Sequence, residues 1–309
     1  MAKLYGQNFR ILTYDPVEAK YRVVGMATSA SVTLNANTDD ASHKDIVGMA
    51  AMPTVTSLSW QVSVESLNVV DAPAVLNAIK SMQPFTLIWD EVSTTDNQTA
   101  IKAGFARRGL AYLNDATFNW NDRENSTKSL QFQGIGELEK LTQTPTVDVI
   151  PIGNLTKGET VRLFLGSDNT ATPAKVIASS RQLSMHVSLS LEDSTTKDTS
   201  GSWAVQEPTG LSYDISTTAL VRSGDTITSA VQGQSLANLQ DIYEAQSPVK
   251  FQIANVSGDN NRTKGTVIVE GSVIVSNLQI NMPNRQSSDY TAQMNGYGNY
   301  TVGEDPAES

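Results

Sequence analysis

The residues of this sequence best suited to chemistry are two histidines and one group of carboxylates. His43 and His186 are the only histidines in the 309 residues, and the chain has no cysteine. A histidine metal site would need at least a third ligand, and the two histidines lie at unrelated points of the sequence. Four carboxylates could in principle hold a cation, but no calcium-loop spacing surrounds them, so an acidic loop is the favoured interpretation. They are Asp39, Asp40, Glu192 and Asp193.

Catalytic motifs are missing from the sequence. Two histidines give no Ser-His-Asp arrangement, and no nucleophile elbow occurs. The segments GIGEL and GYGNY are too short for a phosphate-binding loop, and we predict them at strand ends rather than before a helix. We therefore predict that the protein is not an enzyme and uses neither a cofactor nor a metal.

Charge and composition narrow the classes of partner. The formal net charge is −10. A general nucleic-acid binder needs a basic face to neutralise phosphates, and an anionic membrane surface also attracts basic proteins. The sequence shows no signal-peptide pattern and no apolar run of the roughly 18 residues that a membrane helix needs. We expect a soluble protein made in a cytoplasm, rich in strands because Ser, Thr and Val are frequent.

A polar turn occurs twice at an offset of 153 residues. Residues 42–67 align without a gap to residues 195–220, and nine of the 26 pairs are identical. Average residue usage predicts roughly two by chance. The identical pairs include Lys44/Lys197, Asp45/Asp198, Gly48/Gly201, Leu58/Leu211 and Ser63/Ser216.

The similarity continues downstream at slightly different offsets. Asp71 and Ser235 open equivalent helix-like segments at an offset of 164, and residues 109–124 align with 271–286 at an offset of 162. The sequence therefore predicts one domain made twice, with a first domain at 1–150, a second at 151–302 and a disordered acidic tail at 303–309.

Each copy reads as mainly β. Val187 and Leu189 alternate with polar residues in one strand, and Leu211, Tyr213 and Ile215 alternate in the next. One short helix follows, capped by Asp71 or Ser235. The interval of about 20 residues between the two long strands exceeds a tight hairpin. The expected fold is two tandem β-barrel or β-sandwich domains, each with one flanking α-helix and a long loop between two strands.

The second copy of the turn carries a resemblance to a known family. The segment TTKDTSGSWAVQEPTGLSYDIS at 195–216 resembles the signature of tailed-phage major tail proteins, the tail tube family. The matching positions are Lys197, Asp198, Gly201, Trp203, Pro208, Gly210 and Tyr213. The first copy keeps Lys44, Asp45, Gly48 and Trp60 but has Ala50 where the second has Trp203.

The resemblance implies a structural virion protein. Single-domain members form six-membered rings that stack into a hollow tube for DNA ejection, so three duplicated chains would make a pseudo-sixfold ring. Edge strands would pair across subunits. The implied partners are the chain itself, tape-measure and terminator proteins and a sheath in contractile tails, in a phage tail assembled in the host cytoplasm. DNA would pass without specific binding, because acidic walls repel phosphates.

The loops carry the candidate assembly residues, with a plainer interpretation beside them. The resemblance implies ring-stacking or inter-subunit contacts by Lys44, Asp45, Gly48, Lys197, Asp198, Gly201 and Trp203. Solvated turns with a local ion pair of about 0–1 kcal/mol would explain the Lys-Asp pairs equally well. Two other functions stay open: a tandem β-sandwich module for binding or adhesion, and a ring protein of a tail terminus or a related injection machine.

Overall fold

A computed structural model describes most of the chain. The described residues are 9–15, 20–24, 27–41, 52–67, 72–91, 106–141, 156–177, 179–196, 202–221, 226–228, 231–257 and 263–303. The protein is mainly β, as the sequence predicts, with 17 strands and two α-helices in this part. Neither of these helices is long and apolar enough to cross a bilayer.

The first half of the chain contains seven strands and one helix. They are β1 (Phe9–Asp15), β2 (Lys20–Val23), β3 (Ala27–Asp40), β4 (Pro53–Leu67), α1 (Ala72–Lys80), β5 (Phe85–Glu91), β6 (Arg107–Asn121) and β7 (Thr127–Lys140). We call these elements the first half.

The second half continues after a single turn of 3-10 helix. Its elements are β8 (Val161–Leu165), β9 (Lys175–Ile177), β10 (Ser180–Asp193), β11 (Gln206–Leu220), β12 (Thr226–Thr228), β13 (Val231–Gln234), α2 (Leu236–Ala245), β14 (Val249–Ser257), β15 (Thr263–Asn281), β16 (Asp289–Gly296) and β17 (Thr301–Val302).

The two halves repeat one pairing pattern. In the first half β1 pairs with β2 and β5, β4 with β3 and β7, and β6 with β5 and β7. In the second half β8 pairs with β9 and β14, β11 with β10 and β16, and β15 with β14 and β16. All these pairs are antiparallel. Each strand of the first half therefore has an equivalent in the second, in agreement with the repeat in the sequence.

The two halves join edge to edge in one sheet. Strand β6 pairs antiparallel with β10, which gives eight strands in the order β3-β4-β7-β6-β10-β11-β16-β15. Alternation along each strand sends one face into the core: Met185 and Val187 are fully buried, whereas His186 between them is not. The opposite face is polar.

Aromatic residues over glycines fix the packing of each half. The Trp60 ring covers Gly134 so closely that a Cβ there would lie 2.1 Å from Trp60 Cε2. In the second half, the Tyr213 ring covers Gly296, where a Cβ would lie 2.6 Å from Tyr213 Cε1. This packing explains why the GIG and GYG segments recur at equivalent positions. Gly134 lies inside β7 rather than at a strand end, which corrects that part of the prediction.

The helices lie where the sequence predicts them. The Ser235 hydroxyl accepts a hydrogen bond from the backbone N–H of Asn238 and caps α2. Asp71, the predicted cap of α1, lies outside the described residues. Leu76 and Ile79 of α1 are buried and Leu239 of α2 is buried, so each helix packs its apolar stripe on the sheet.

Three local details differ from the sequence-based prediction. The long strands extend further into the interval between them, so the connecting segments are residues 41–52 and 194–205 rather than about 20 residues. The alternation from Tyr290 to Thr301 predicts one strand, but the structure has two there, because β16 ends at Gly296 and β17 begins at Thr301. Strands β1, β2, β8 and β9 were not predicted, since they are short and lack a clear alternation.

Candidate functional site

Six of the seven predicted assembly residues lie outside the described residues. They are Lys44, Asp45, Gly48, Lys197, Asp198 and Gly201. The strands that precede these residues, β3 and β10, nevertheless end at one rim of the sheet. Four antiparallel steps separate β3 from β10 in the eight-stranded sheet, so the two strands run in the same direction and their following loops begin at the same rim.

Trp203, the remaining predicted residue, lies at a contact between the two halves. Its segment forms a parallel bridge with Leu58 of β4. The N–H of Leu58 donates to the carbonyl of Ser202 (2.6 Å), and the N–H of Ala204 donates to the carbonyl of Leu58 (2.9 Å). The N–H of Gly136 in β7 donates to the carbonyl of Ala204 (2.9 Å). Residues 202–204, at the end of the second loop, therefore lie between β4 and β7 of the first half, with the Trp203 side chain packed against the core.

The main contact between the halves is the pairing of β6 with β10, which we call the intrachain seam. It joins residues 115–121 to residues 182–188. On its core face Met185 lies opposite Phe118, and Leu183 lies opposite Trp120. All four side chains are at most 2 % exposed. Backbone hydrogen bonds and a continuous apolar core therefore unite the two halves.

A charged cluster lies on the polar face of the intrachain seam. His186 of β10 places Nε2 2.7 Å from Oδ2 of Asp115 on β6 and Nδ1 2.9 Å from Oδ1 of Asp214 on β11. Burial opposes the charged imidazole, but the hydrogen bonds and charges of the two carboxylates outweigh it and raise the pKa of His186. A protonated imidazole would donate to both carboxylates and so link three adjacent strands.

This cluster was missed by the sequence analysis. His186 stands at a polar position of an alternating strand, which predicts its face but not its partners. Asp115 lies on another strand of the other half, and only the β6–β10 pairing brings it close. Among the described residues no group of three or more His, Cys, Asp or Glu side chains is arranged to hold a metal ion. The cluster is an ion-pair network.

The helix of the first half makes a second contact with the second half. The Tyr300 hydroxyl donates to the carbonyl of Leu76 in α1 (2.9 Å), and Lys80 Nζ lies 5.7 Å from the centroid of the Tyr300 ring. The Tyr300 residue is 1 % exposed. Burial is the main cause that raises the pKa of Tyr300, so the phenol stays protonated and keeps its donor role.

The polar face of the eight-stranded sheet carries hydroxyl and amide groups with a few carboxylates. In the part of the sheet level with the intrachain seam, the charged side chains on this face are Glu65, Asp115, His186, Asp214 and Asp289. No lysine or arginine lies at an outward position of the described residues at this level. Farther along β6, the exposed Arg108 forms an ion pair with Glu139 of β7. The face is therefore neutral to acidic.

The sheet has two free edges. In the described part of the chain β3 pairs with β4 alone, and residues 274–281 of β15 pair with β16 alone. Free edges expose unpaired N–H and C=O groups that can pair with another chain. One edge belongs to the first half and the other to the second, so the sheet can extend at both ends.

Comparisons with known proteins give structural matches only. No protein-family model matches the chain, and no curated protein matches it. The chain is similar to the tail of an empty gene transfer agent particle refined with C6 symmetry (15 % identity, TM-score 0.36) and to the virion of a native gene transfer agent (16 %, 0.34). It is also similar to the SPP1 tail tube (13 %, 0.36).

Each of these matches covers about half of this chain. The share is 48 % of this chain against 98 %, 98 % and 78 % of the matched chains.

Proposed function

We propose that this protein is the major tube subunit of a phage tail. The observation that carries the proposal is the eight-stranded sheet: two equivalent four-stranded halves are joined edge to edge, and the sheet is left open at both ends. The intrachain seam shows that one half accepts the next half as a continuation of its own sheet. Repetition of that step between chains gives either a closed ring or an open helix.

The proposed ring contains three chains. Each chain contributes two tube domains, residues 1–150 and 151–302, so three chains supply six similar positions around the axis. The core face of the sheet is covered by β1, β5 and α1 in the first half and by β8, β14 and α2 in the second. It would lie on the outer side of the ring. The polar face would then line the lumen.

The character of the polar face suits passage of DNA. Level with the intrachain seam, this face carries no lysine or arginine among its described residues, so it gives phosphates no cation to bind there, and its carboxylates repel them. Hydroxyl and amide side chains stay hydrated and present no apolar surface to the duplex. We propose that genomic DNA passes without specific binding during ejection, and that the tube works without a cofactor or a catalytic step.

Stacking of rings would use the loops at one rim of the sheet. Residues 41–52 and 194–205 leave from the same rim, so all six copies in a ring would face one neighbouring ring. We propose that Lys44, Asp45, Gly48, Lys197, Asp198 and Gly201 contact that ring. Trp203 would anchor the end of its loop on Leu58. Tape-measure, terminator and sheath proteins complete the proposed set of partners, in a virion tail assembled in the host cytoplasm.

Electron microscopy of the purified protein at increasing concentration tests the proposal. Hollow rings or tubes with threefold symmetry and six similar lobes in end-on views are the expected result. Rings that never stack would favour a tail-terminus ring protein instead. Single chains at every concentration, also in the presence of co-expressed tail proteins, would overturn the proposal in favour of a tandem binding module.

A further inference from the structure

The intrachain seam defines which strands should meet between two chains. Its members are β6 from the first half and β10 from the second. The equivalent of β10 in the first half is β3, at an offset of 153, and the equivalent of β6 in the second half is β15, at an offset of 162. These two strands hold the free edges of the eight-stranded sheet. They do not pair with each other in the described part of the chain, so each edge is open to a strand of another molecule.

We propose that β3 of one chain pairs antiparallel with β15 of a second copy, in the register of the intrachain seam. This inference rests on the proposed ring and assigns the residues of its closure. The pairing of Met185 with Phe118 becomes Val32 with Ile280, and that of Leu183 with Trp120 becomes Ala30 with Met282. The central polar pair becomes Thr33 with Gln279. We call this contact the interchain seam.

Exposed apolar side chains mark both edges of the interchain seam. Val32 is 39 % exposed, Leu34 is 63 % exposed and Met282 is 74 % exposed. Their equivalents in the intrachain seam are Met185, Val187 and Trp120, which are 0 %, 0 % and 2 % exposed. The same positions are therefore buried where a partner strand is present and open where it is absent. A second copy would cover all three at once.

The backbone of both edges is compatible with this register. In the intrachain seam the N–H of Asp122 donates to the carbonyl of Arg181 (2.8 Å). Hydrogen-bonded and non-hydrogen-bonded pairs alternate along an antiparallel ladder, so the neighbouring residue Asn121 does not need its N–H for β10. The equivalent of Asn121 is Pro283. The proline therefore falls at a position where the interchain seam needs no donor.

The two seams differ in charge. His186, Asp115 and Asp214 of the intrachain seam correspond to Thr33, Asn277 and Gln61, and all three replacements are neutral. The geometry points to an interchain seam held by backbone hydrogen bonds and apolar contacts without an ion pair on its lumen side. The affinity between chains should then change little between about pH 5.5 and pH 8. Histidine is the side chain whose charge ordinarily changes in this range, and the interchain seam has none.

Engineered cysteines test the register directly, because the chain has no native cysteine. Thr33→Cys with Gln279→Cys places two thiols at a non-hydrogen-bonded pair, where Cα atoms lie about 4.5 Å apart and a disulfide can form. Mild oxidation of the full-length assembled protein should link most chains by disulfides into a series of covalent oligomers, a crosslinked ladder, that ends at three chains. Ser29→Cys with Gln279→Cys is the matched control, since a shift of four residues separates the Cα atoms by roughly 13 Å.

The outcomes separate the seam from the proposed function. An in-register ladder at least tenfold more abundant than the control ladder supports the seam. Rings in electron microscopy with no preference for the in-register pair overturn the seam and leave the tail-tube proposal standing. Chains that neither form rings nor crosslink overturn both. A ladder that continues to six chains supports the register and overturns the three-chain count.

Discussion

Single residues set the shape of each half through aromatic rings that lie over glycines. Trp60 is fully buried, and its Nε1–H donates to the carbonyl of Gly136 (3.1 Å). Tyr213 has the equivalent place in the second half, and its hydroxyl donates to the carbonyl of Ser272 (2.6 Å). A ring can lie flat on the backbone of the neighbouring strand only where that strand has no Cβ. The repeat therefore conserves an aromatic-glycine pair rather than one particular aromatic residue.

Replacement of Gly134 tests this packing. Gly134→Ala would place a methyl group inside the Trp60 ring, so the ring or the strand must move, and overpacking of this kind costs about 1–3 kcal/mol. Gly210→Ala is the control, because no atom lies within 4 Å of a Cβ at that strand position. Urea denaturation should show a clearly lower free energy of unfolding for Gly134→Ala than for Gly210→Ala. Equal stabilities would show that the ring does not depend on the glycine.

At the scale of elements, the intrachain seam combines a buried apolar side with an exposed charged side. The apolar side resembles any paired strand of the core. The charged side is particular to this seam, because His186 bridges carboxylates from the strands on either side of β10. The seam therefore has a component that depends on protonation, and His186 is the one histidine among the described residues of the eight-stranded sheet.

Protonation of His186 can be followed directly, because only His43 gives a second imidazole signal. Nuclear magnetic resonance should show His186 titrating above the usual histidine pKa of about 6.5, since both carboxylates stabilise the charged ring. Asp115→Asn should lower the pKa of His186, because it replaces one of the two carboxylates that stabilise the charged ring with a neutral amide. His43→Gln assigns the signals. A pKa of His186 that stays the same in Asp115→Asn would contradict the ion-pair network.

The raised pKa also fixes the sign of the pH dependence of stability. The contribution of His186 to the free energy of unfolding is fully present below the unfolded pKa and is lost as pH rises through the higher folded pKa. The side chain is 36 % exposed, so solvent screening limits the contribution to about 1 kcal/mol or less. Melting temperatures of wild type and His186→Gln should therefore converge as pH rises from about 6 to 9. Melting temperatures that move apart over this pH range would contradict a stabilising contribution from protonated His186.

How much of this architecture is readable from the sequence depends on the distance between partners along the chain. Strands β10 and β11 follow from local alternation, and the α2 cap follows from Ser235 itself. The intrachain seam does not, because alternation gives the face of a residue but not the neighbour of its strand. His186 shows the limit: its polar face was predictable, whereas Asp115 reaches it only through the pairing of two halves. The free edges likewise need the full strand order.

For the whole molecule, the neutral to acidic polar face is the feature on which the proposed passage of DNA depends. Level with the intrachain seam, its outward side chains carry four carboxylates and one histidine among the described residues. A duplex inside a ring of such faces would meet water, hydroxyls and amides at every side. Its phosphates would meet no lysine or arginine at this level, so the duplex could slide without breaking ionic contacts to its phosphates.

Lysines placed on this face should change a passive lumen into a binding one. Ser63→Lys with Ser216→Lys adds two cations to each chain at equivalent outward positions of β4 and β11, and each lysine that meets a phosphate releases a counterion. Assembled variant should therefore retain duplex DNA in cosedimentation at about 50 mM salt and lose it as salt rises, whereas wild type should not retain DNA. Ala237→Lys with Gln240→Lys puts the same charge on the exposed side of α2, away from the polar face, and should retain far less. If wild type retains DNA as firmly as the Ser63→Lys/Ser216→Lys variant, the polar face is not a lumen that repels phosphate. Equal retention by both lysine pairs would instead show that net charge, rather than position on the face, controls binding.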